Sequence, residues 1–225
     1  RGSWTHAGKP LDDMVLRGDD HRLAQVFPFD EESVMDRIPR LWIAVLVLAL
    51  AGGASAAEQS FYFNLGFGWA SASYPDQIEE MLDMLEEVPG IDHLQIGVDL
   101  GLYFRMQPGS ILGFAVSGIG DRYDDGSDHL QLNQYLYAAS FRHYPSGETG
   151  HGLFVRGDVG MSKLVLDVSG FGSESSESGF GFLVGGGYSF PIGSSTWFSI
   201  NADYTSKTIE DETVGGYTIG GAFLF

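Results

Sequence analysis

The chain has 225 residues, no cysteine, and a formal charge of −18 from 12 basic and 30 acidic side chains. Without cysteine it has no disulfide scaffold, thiolate zinc site or thiol nucleophile. Without a basic patch it has nothing to neutralise phosphates, so nucleic acid is not an expected partner.

Residues 1–34 show no sustained hydrophobic period and are expected to be an upstream or non-structural segment. Glu31-Glu32 requires purine-rich codons shortly before Met35, as a ribosome-binding site would, so translation is expected to begin at Met35. Residues 35–57 have the three parts of a secretory signal peptide: a basic stretch with Arg37 and Arg40, an apolar run over 41–51, and Ala54-Ser55-Ala56. The apolar run is about half of the roughly 20 residues that span a bilayer as a helix. Cleavage is expected after Ala56 or Ala57, leaving 58–225 as one domain.

That domain holds 10-residue-scale alternating segments, the signature of a membrane-spanning barrel. In the first, Phe61, Phe63, Leu65, Phe67 and Trp69 share one face, and Tyr62, Asn64, Gly66 and Gly68 the other. The second, from 93 to 105, sets Leu94, Ile96, Val98, Leu100, Leu102 and Phe104 against Gln95, Gly97, Asp99, Gly101, Tyr103 and Arg105. A third runs over 111–119. In the fourth, over 129–143, Leu130 and Leu132 fall on the opposite parity from Tyr135, Tyr137 and Phe141, and a bulge near Gln134 would reconcile them. Further segments cover 153–162, 179–190, 197–204 and 213–225. The uniformly apolar face carries the aromatics, and the mixed face carries Asp, Arg, Asn and Gly. This inverts a soluble barrel and puts lipid outside.

The 32 glycines, roughly twice the usual share of about 7%, have no three-residue period, and several sit on the mixed face, leaving space for inward side chains. Trp69, Tyr204 and Tyr217 are expected at one membrane interface, and Phe104, Tyr188, Phe190, Phe223 and Phe225 at the other. Connections alternate between a shorter set (106–109, 144–150, 191–194) and a longer set (72–92, 120–128, 168–178, 206–212).

The first long connection contains helical spacing over 75–88: Ile78, Met81, Leu82, Leu85 and Val88 form one stripe, with acids on much of the remaining surface. Pro75 suits its first turn, and Pro89-Gly90 ends it. It reads either as a lid on the barrel mouth or as a partner-facing element. Inward Asp99, Arg105, Arg142, Arg156, Asp158 and Asp203 are expected to form a mutually paired luminal network, because unpaired buried charge is costly. Such a network serves as a structural plug or as a narrow polar pathway. Asp121, Asp124, Asp125 and Asp128 cluster in one connection and are weak candidates for Ca²⁺, without an EF-hand pattern. His93, His129, His143 and His151 are available bases, yet no Gly-x-Ser-x-Gly nucleophile turn accompanies them. No cofactor is expected.

The chain ends on Thr-Ile-Gly-Gly-Ala-Phe-Leu-Phe, with Ile219, Phe223 and Phe225 on one face and Thr218, Gly220, Ala222 and Leu224 on the other. This resembles the C-terminal strand signal of Gram-negative outer-membrane barrels, carried here by Gly220, Phe223 and Phe225, which the barrel assembly machinery reads. Strand number, loop alternation and Phe225 together make 58–225 resemble the OmpA/OmpX-like eight-stranded barrels. The resemblance implies an all-β fold: a closed, antiparallel, eight-stranded transmembrane β-barrel, monomeric, with one short helix in the first long outer loop. It implies location in the outer membrane after signal-peptide cleavage, against membrane lipid and lipopolysaccharide. The group includes anchors, adhesins, small channels and a few lipid-modifying enzymes. The expected role is non-enzymatic, in envelope integrity or surface interaction through acidic outer loops. The alternatives are a porin-like channel or transporter for small solutes, and a lipid-modifying enzyme.

Overall fold

The computed structural model describes residues 60–225, apart from 171, 210 and 211. The expected signal peptide and the segment before it lie outside the described residues. Nine strands form one antiparallel sheet: β1 (Phe61–Ser73), β2 (Asp92–Gln107), β3 (Ser110–Asp124), β4 (His129–His143), β5 (Gly152–Val168), β6 (Gly172–Ser175), β7 (Gly179–Pro191), β8 (Trp197–Ile209) and β9 (Glu212–Leu224). One helix, α1 (Asp76–Glu86), follows β1.

The sheet closes on itself. β1 pairs with both β2 and β9, and β4 pairs with β5. Short β6 is a continuation of β7: both lie against β5, with Ser175 opposite Val165 and Gly179 opposite Ser162. The registers differ by one residue, and Ser176 bridges the slip by donating its amide to Leu164 O at 2.9 Å. The described residues therefore form the closed eight-stave antiparallel barrel that the alternation predicts.

The two faces separate as a membrane requires. Phe67, Trp69, Leu94, Val98, Phe114, Val184, Ile200 and Ile219 are exposed on the outside, while Tyr62, Asn64, Tyr103, Arg142, Arg156 and Asp158 are buried within. From Phe61 to Trp69 the apolar face of β1 runs about 26 Å along the strand, or about 20 Å of height at a tilt of about 40°. That approaches the apolar band of about 25 Å that such barrels present to lipid. Aromatic pairs mark both rims of the band. Tyr204 and Tyr217 lie 5.0 Å apart at one end; Phe61 and Phe104 are 4.7 Å apart, and Phe198 and Phe223 5.1 Å, at the other. The second rim, which carries the C-terminus and the turns after β2, β4 and β7, is called the inner end below.

Three expectations are corrected. First, β4 has no bulge: its register with β3 and β5 is continuous from one end to the other. Leu130, Leu132, Gln134, Leu136 and Arg142 share the inward parity throughout. Leu130 and Leu132 are apolar there because they pack beneath the outer-loop helix. The register shift lies in β2 instead, between Arg105 and Gln107. Second, the outer connections are shorter than the alternation implies. β3 continues to Asp124 and β8 to Ile209, and β6 takes up Gly172–Ser175 within 168–178. Past the membrane band the outward residues become polar, as with Arg122, Asp124, Lys163, Ser206 and Thr208. Apolar alternation therefore stops while the hydrogen-bond ladder goes on. Third, α1 spans Asp76–Glu86 rather than 75–88, with Pro75 at the cap position rather than in the first turn. The Pro75 carbonyl accepts from the amides of Ile78 at 2.9 Å and Glu79 at 3.0 Å.

Candidate functional site

The interior is stacked in layers. At the inner end Tyr62, Tyr103, Ile111, Tyr144, Phe154 and Leu224 pack into an apolar plug, with Trp197 against them. Gly150 gives Trp197 its place: its φ is +79°, and a Cβ there would collide with the indole ring.

Above the plug lies a charged cluster drawn from four strands. Asp99 of β2 accepts from Arg142 of β4 at 3.1 Å and from Arg156 of β5 at 2.7 Å. Arg156 also grips Asp158 on its own strand, at 2.5 Å from Nη2 and 3.0 Å from Nε. Asn64 of β1 links the set, donating to Asp99 at 2.5 Å and accepting from Arg142 at 2.8 Å. Ser140 donates to Asp158 at 2.5 Å and lies 3.0 Å from the Tyr103 hydroxyl. The Arg142 guanidinium lies 4.9 Å from the centroid of the Tyr103 ring. Two carboxylates and two guanidiniums thus balance in a region where each isolated charge would be expensive.

Two members of the expected network lie outside this cluster. Arg105 sits at the inner end of β2, opposite Ile111, six residues and hence about 20 Å along the strand from Asp99. That is too far to share the same carboxylates. Asp203 is buried and accepts from Asn201 at 2.5 Å; among the described residues it makes no ion pair within 4.0 Å, and its Oδ1 has no hydrogen-bond partner. It occupies the space that Gly185 leaves free, since a Cβ at Gly185 would strike Asp203 Oδ1.

Beside Asp203 a cavity of about 20 Å³ is lined by Asp99, Ser117, Arg156, Asn201, Thr205 and Lys207. That is room for about one water molecule, not for an organic ligand. Lys207 donates to Gln134 at 3.2 Å across the lumen. The alternation placed 206–212 in a loop, so Lys207 could not be recognised as inward. Asn64, Tyr103 and Ser140 were legible as inward or at inward parity but carry no charge to single them out.

The outer mouth is covered by α1. Leu82 is buried with Tyr74, Tyr123, Leu132, Ile209 and Val214, and Ile78, Met81 and Leu85 pack on that cluster. Met84 and the acids lie on the exposed side.

The four aspartates of the third connection diverge. Asp121 points into the lumen, where His93 and Gln95 contact it. Asp124 binds Arg122. Asp125 accepts from the amides of Ser127 and Asp128, each at 2.8 Å, which hold its carboxyl below the usual carboxylate range. Among the described residues no group of three or more His, Asp or Glu side chains is arranged to hold a metal.

The histidines are likewise dispersed. His129 faces Asp167 at 3.3 Å. His143 Nδ1 lies 2.9 Å from Ser110 Oγ, and Ser110 is 1% exposed. The His151 amide donates to Glu148 O in the turn after β4. At the closing seam, Phe225 and Phe63 exchange backbone hydrogen bonds of 2.9 and 3.1 Å, their rings 6.4 Å apart, and Gly220 lies opposite Gly68.

Solved structures of similar shape are outer-membrane barrels. Ail of Yersinia pestis, solved with a heparin analogue, is 16% identical over 75% of this chain and 100% of its own, with a TM-score of 0.47. Neisserial surface protein A is 13% identical over 74% and 96%, with a TM-score of 0.48. The N-terminal barrel of Pseudomonas aeruginosa OprF is 14% identical over 74% and 98%, with a TM-score of 0.38. No curated protein matches the sequence. Residues 43–223 match the model of the outer membrane protein beta-barrel domain, and the chain belongs to that family.

Proposed function

We propose that this outer-membrane protein is a non-enzymatic, non-conducting barrel that acts at the cell surface through its acidic outer rim, in envelope integrity or in binding a partner. The observation that supports this most is the filled lumen. Asp99, Arg142, Arg156 and Asp158 neutralise one another between an apolar plug below and the α1 cluster above. An eight-stranded barrel has an interior just wide enough for side chains, and here they occupy it. The outer helix and its C-cap residue meanwhile expose Asp76, Glu79, Glu80, Asp83, Glu86 and Glu87, a surface suited to cationic groups and to the divalent cations that bridge anionic glycolipid.

Planar-bilayer recording on the purified protein tests the reading. The expected result is no steady conductance above the lipid background. Large, sustained openings would select the small-solute channel instead. Lipid analysis of a deletion strain checks the enzyme alternative, and an unaltered lipid profile is expected.

Among the described residues the eight long strands are each paired on both sides through the membrane band, and only outer-end segments such as β6 keep a free side, which supports a monomer in lipid. The aromatic end of β9, with Gly220, Phe223 and Phe225, serves as the assembly signal in this reading. Processing follows from the same placement. N-terminal sequencing of outer-membrane material is expected to begin at Ala57 or Glu58; a mature chain retaining residues 41–51 would remove the signal-peptide reading.

A further inference from the structure

His93, on the inward face of β2, lies between two carboxylates from different elements. Its Nδ1 is 2.9 Å from Glu86 Oε1 at the end of α1, and its Nε2 is 2.6 Å from Asp121 Oδ1 on β3. The ring lies flat on Tyr123, with centroids 4.3 Å apart and planes 10° from parallel. Gln95 donates to the second Asp121 oxygen at 3.1 Å, and the Tyr123 hydroxyl donates to Glu86 at 3.4 Å.

The proton count decides what this arrangement is. A carboxylate only accepts, and a neutral imidazole has one N–H and one bare nitrogen. Both contacts exist together only when the group as a whole carries one proton more than a neutral ring with two carboxylates. We infer that Glu86, His93 and Asp121 form a proton-bound latch that ties the helical lid to the barrel wall.

The surroundings support one direction of response. The titratable groups against His93 are Glu86 from α1 and Asp121 and Tyr123 from β3; next to these lie Asp83 of α1, beside Tyr123, and Tyr74, beside Asp121 and Tyr123. All are acids or phenols. The Asp121 side chain is fully buried, so a neutral ring would leave its charge without a counter-ion. The latched form binds the extra proton. It therefore gains over the released form as pH falls and loses as pH rises. The apolar stripe of Ile78, Met81, Leu82 and Leu85 still holds the helix when the latch opens, so release frees the Glu86 end first. The latch does not depend on the surface role proposed above, and bilayer conductance and lid position are read separately.

Because the chain has no cysteine, two labels can be introduced cleanly. Met84→Cys on α1 and Thr213→Cys on β9 are both at exposed positions. Spin-spin distances are measured on the full protein in lipid bilayers at about pH 6 and about pH 8.5. The expected result is one short-distance population at the lower pH, and a longer-distance population at least about threefold larger at the higher pH. His93→Gln is expected to abolish the pH response. Glu86→Ala cuts the tie without entering the lumen and is expected to show the open population throughout. A wild-type distribution that does not change with pH, a pH response that survives in His93→Gln, or a Glu86→Ala variant that behaves as wild type would each overturn the latch.

Discussion

Replacing Arg156 by Met is expected to destabilise the folded barrel by about 3–5 kcal/mol, the usual cost of breaking a buried ion pair from one side. The guanidinium contacts Asp99 at 2.7 Å and Asp158 at 2.5 Å, and its side chain is 1% exposed. Without it Asp158 keeps only the Ser140 hydroxyl, and Asp99 keeps Arg142 and Asn64. Two carboxylates then face one cation. The double variant Arg156→Met/Asp158→Leu restores the balance, leaving Asp99 with Arg142, and is expected to be more stable than the single variant. Urea unfolding in lipid vesicles checks both. A single variant within about 1 kcal/mol of wild type would show that the cluster is solvated and that the lumen is open to water.

The ordering of those two variants matters more than either value. A buried charge set is weak evidence for stability by itself, since well-packed apolar groups often do as well. What the set secures here is occupancy. Four strands send charged or amide groups into one cluster, at Asn64, Asp99, Arg142 and the Arg156–Asp158 pair. Each is held by at least two partners. The barrel wall fixes those positions through register, because a slip of one residue would carry every one of them into lipid.

The wall itself was legible because a membrane imposes a period of two on every crossing strand. Leu94 to Phe104 and Phe61 to Trp69 alternate without interruption, and the structure places their apolar residues outside. The alternation failed where the membrane ends. Lys207 and Asp121 read as loop residues, since their outward neighbours Ser206, Thr208, Gly120 and Arg122 are not apolar, yet both point inward on continuing strands. The phase of β4 misled for the opposite reason. Leu130 and Leu132 are apolar because they support a helix, whereas Tyr135, Tyr137 and Phe141 are apolar because they face lipid. Hydrophobicity alone does not say which of the two it answers. The Glu86, His93 and Asp121 contact had no sequence signal, because it joins three elements whose approach depends on closure of the whole barrel.

Replacing Val98 or Ile200 by Arg is expected to cost about 2–4 kcal/mol, and Trp69 or Phe104 by Arg only about 0–1 kcal/mol, because the penalty for a cation falls from midplane to interface. All four side chains are exposed in the isolated chain, so exposure cannot distinguish them; only the medium outside can. Val98 lies opposite Phe67 and Gly118, and Ile200 opposite Tyr188 and Gly221, each one outward position inside the rim levels marked by Trp69 and Phe198. Trp69 and Phe104 lie at the rims, where a long side chain can carry its charge out to water. The residue next to each central site faces the lumen, at Asp99 and Asn201, so the substituted strand cannot rotate its new charge inward without exposing another to lipid. Unfolding free energies measured in bilayers should therefore rank with depth rather than with residue size. Equal tolerance at the four positions would mean that water surrounds the barrel, and a soluble barrel would then be the better description of the whole chain.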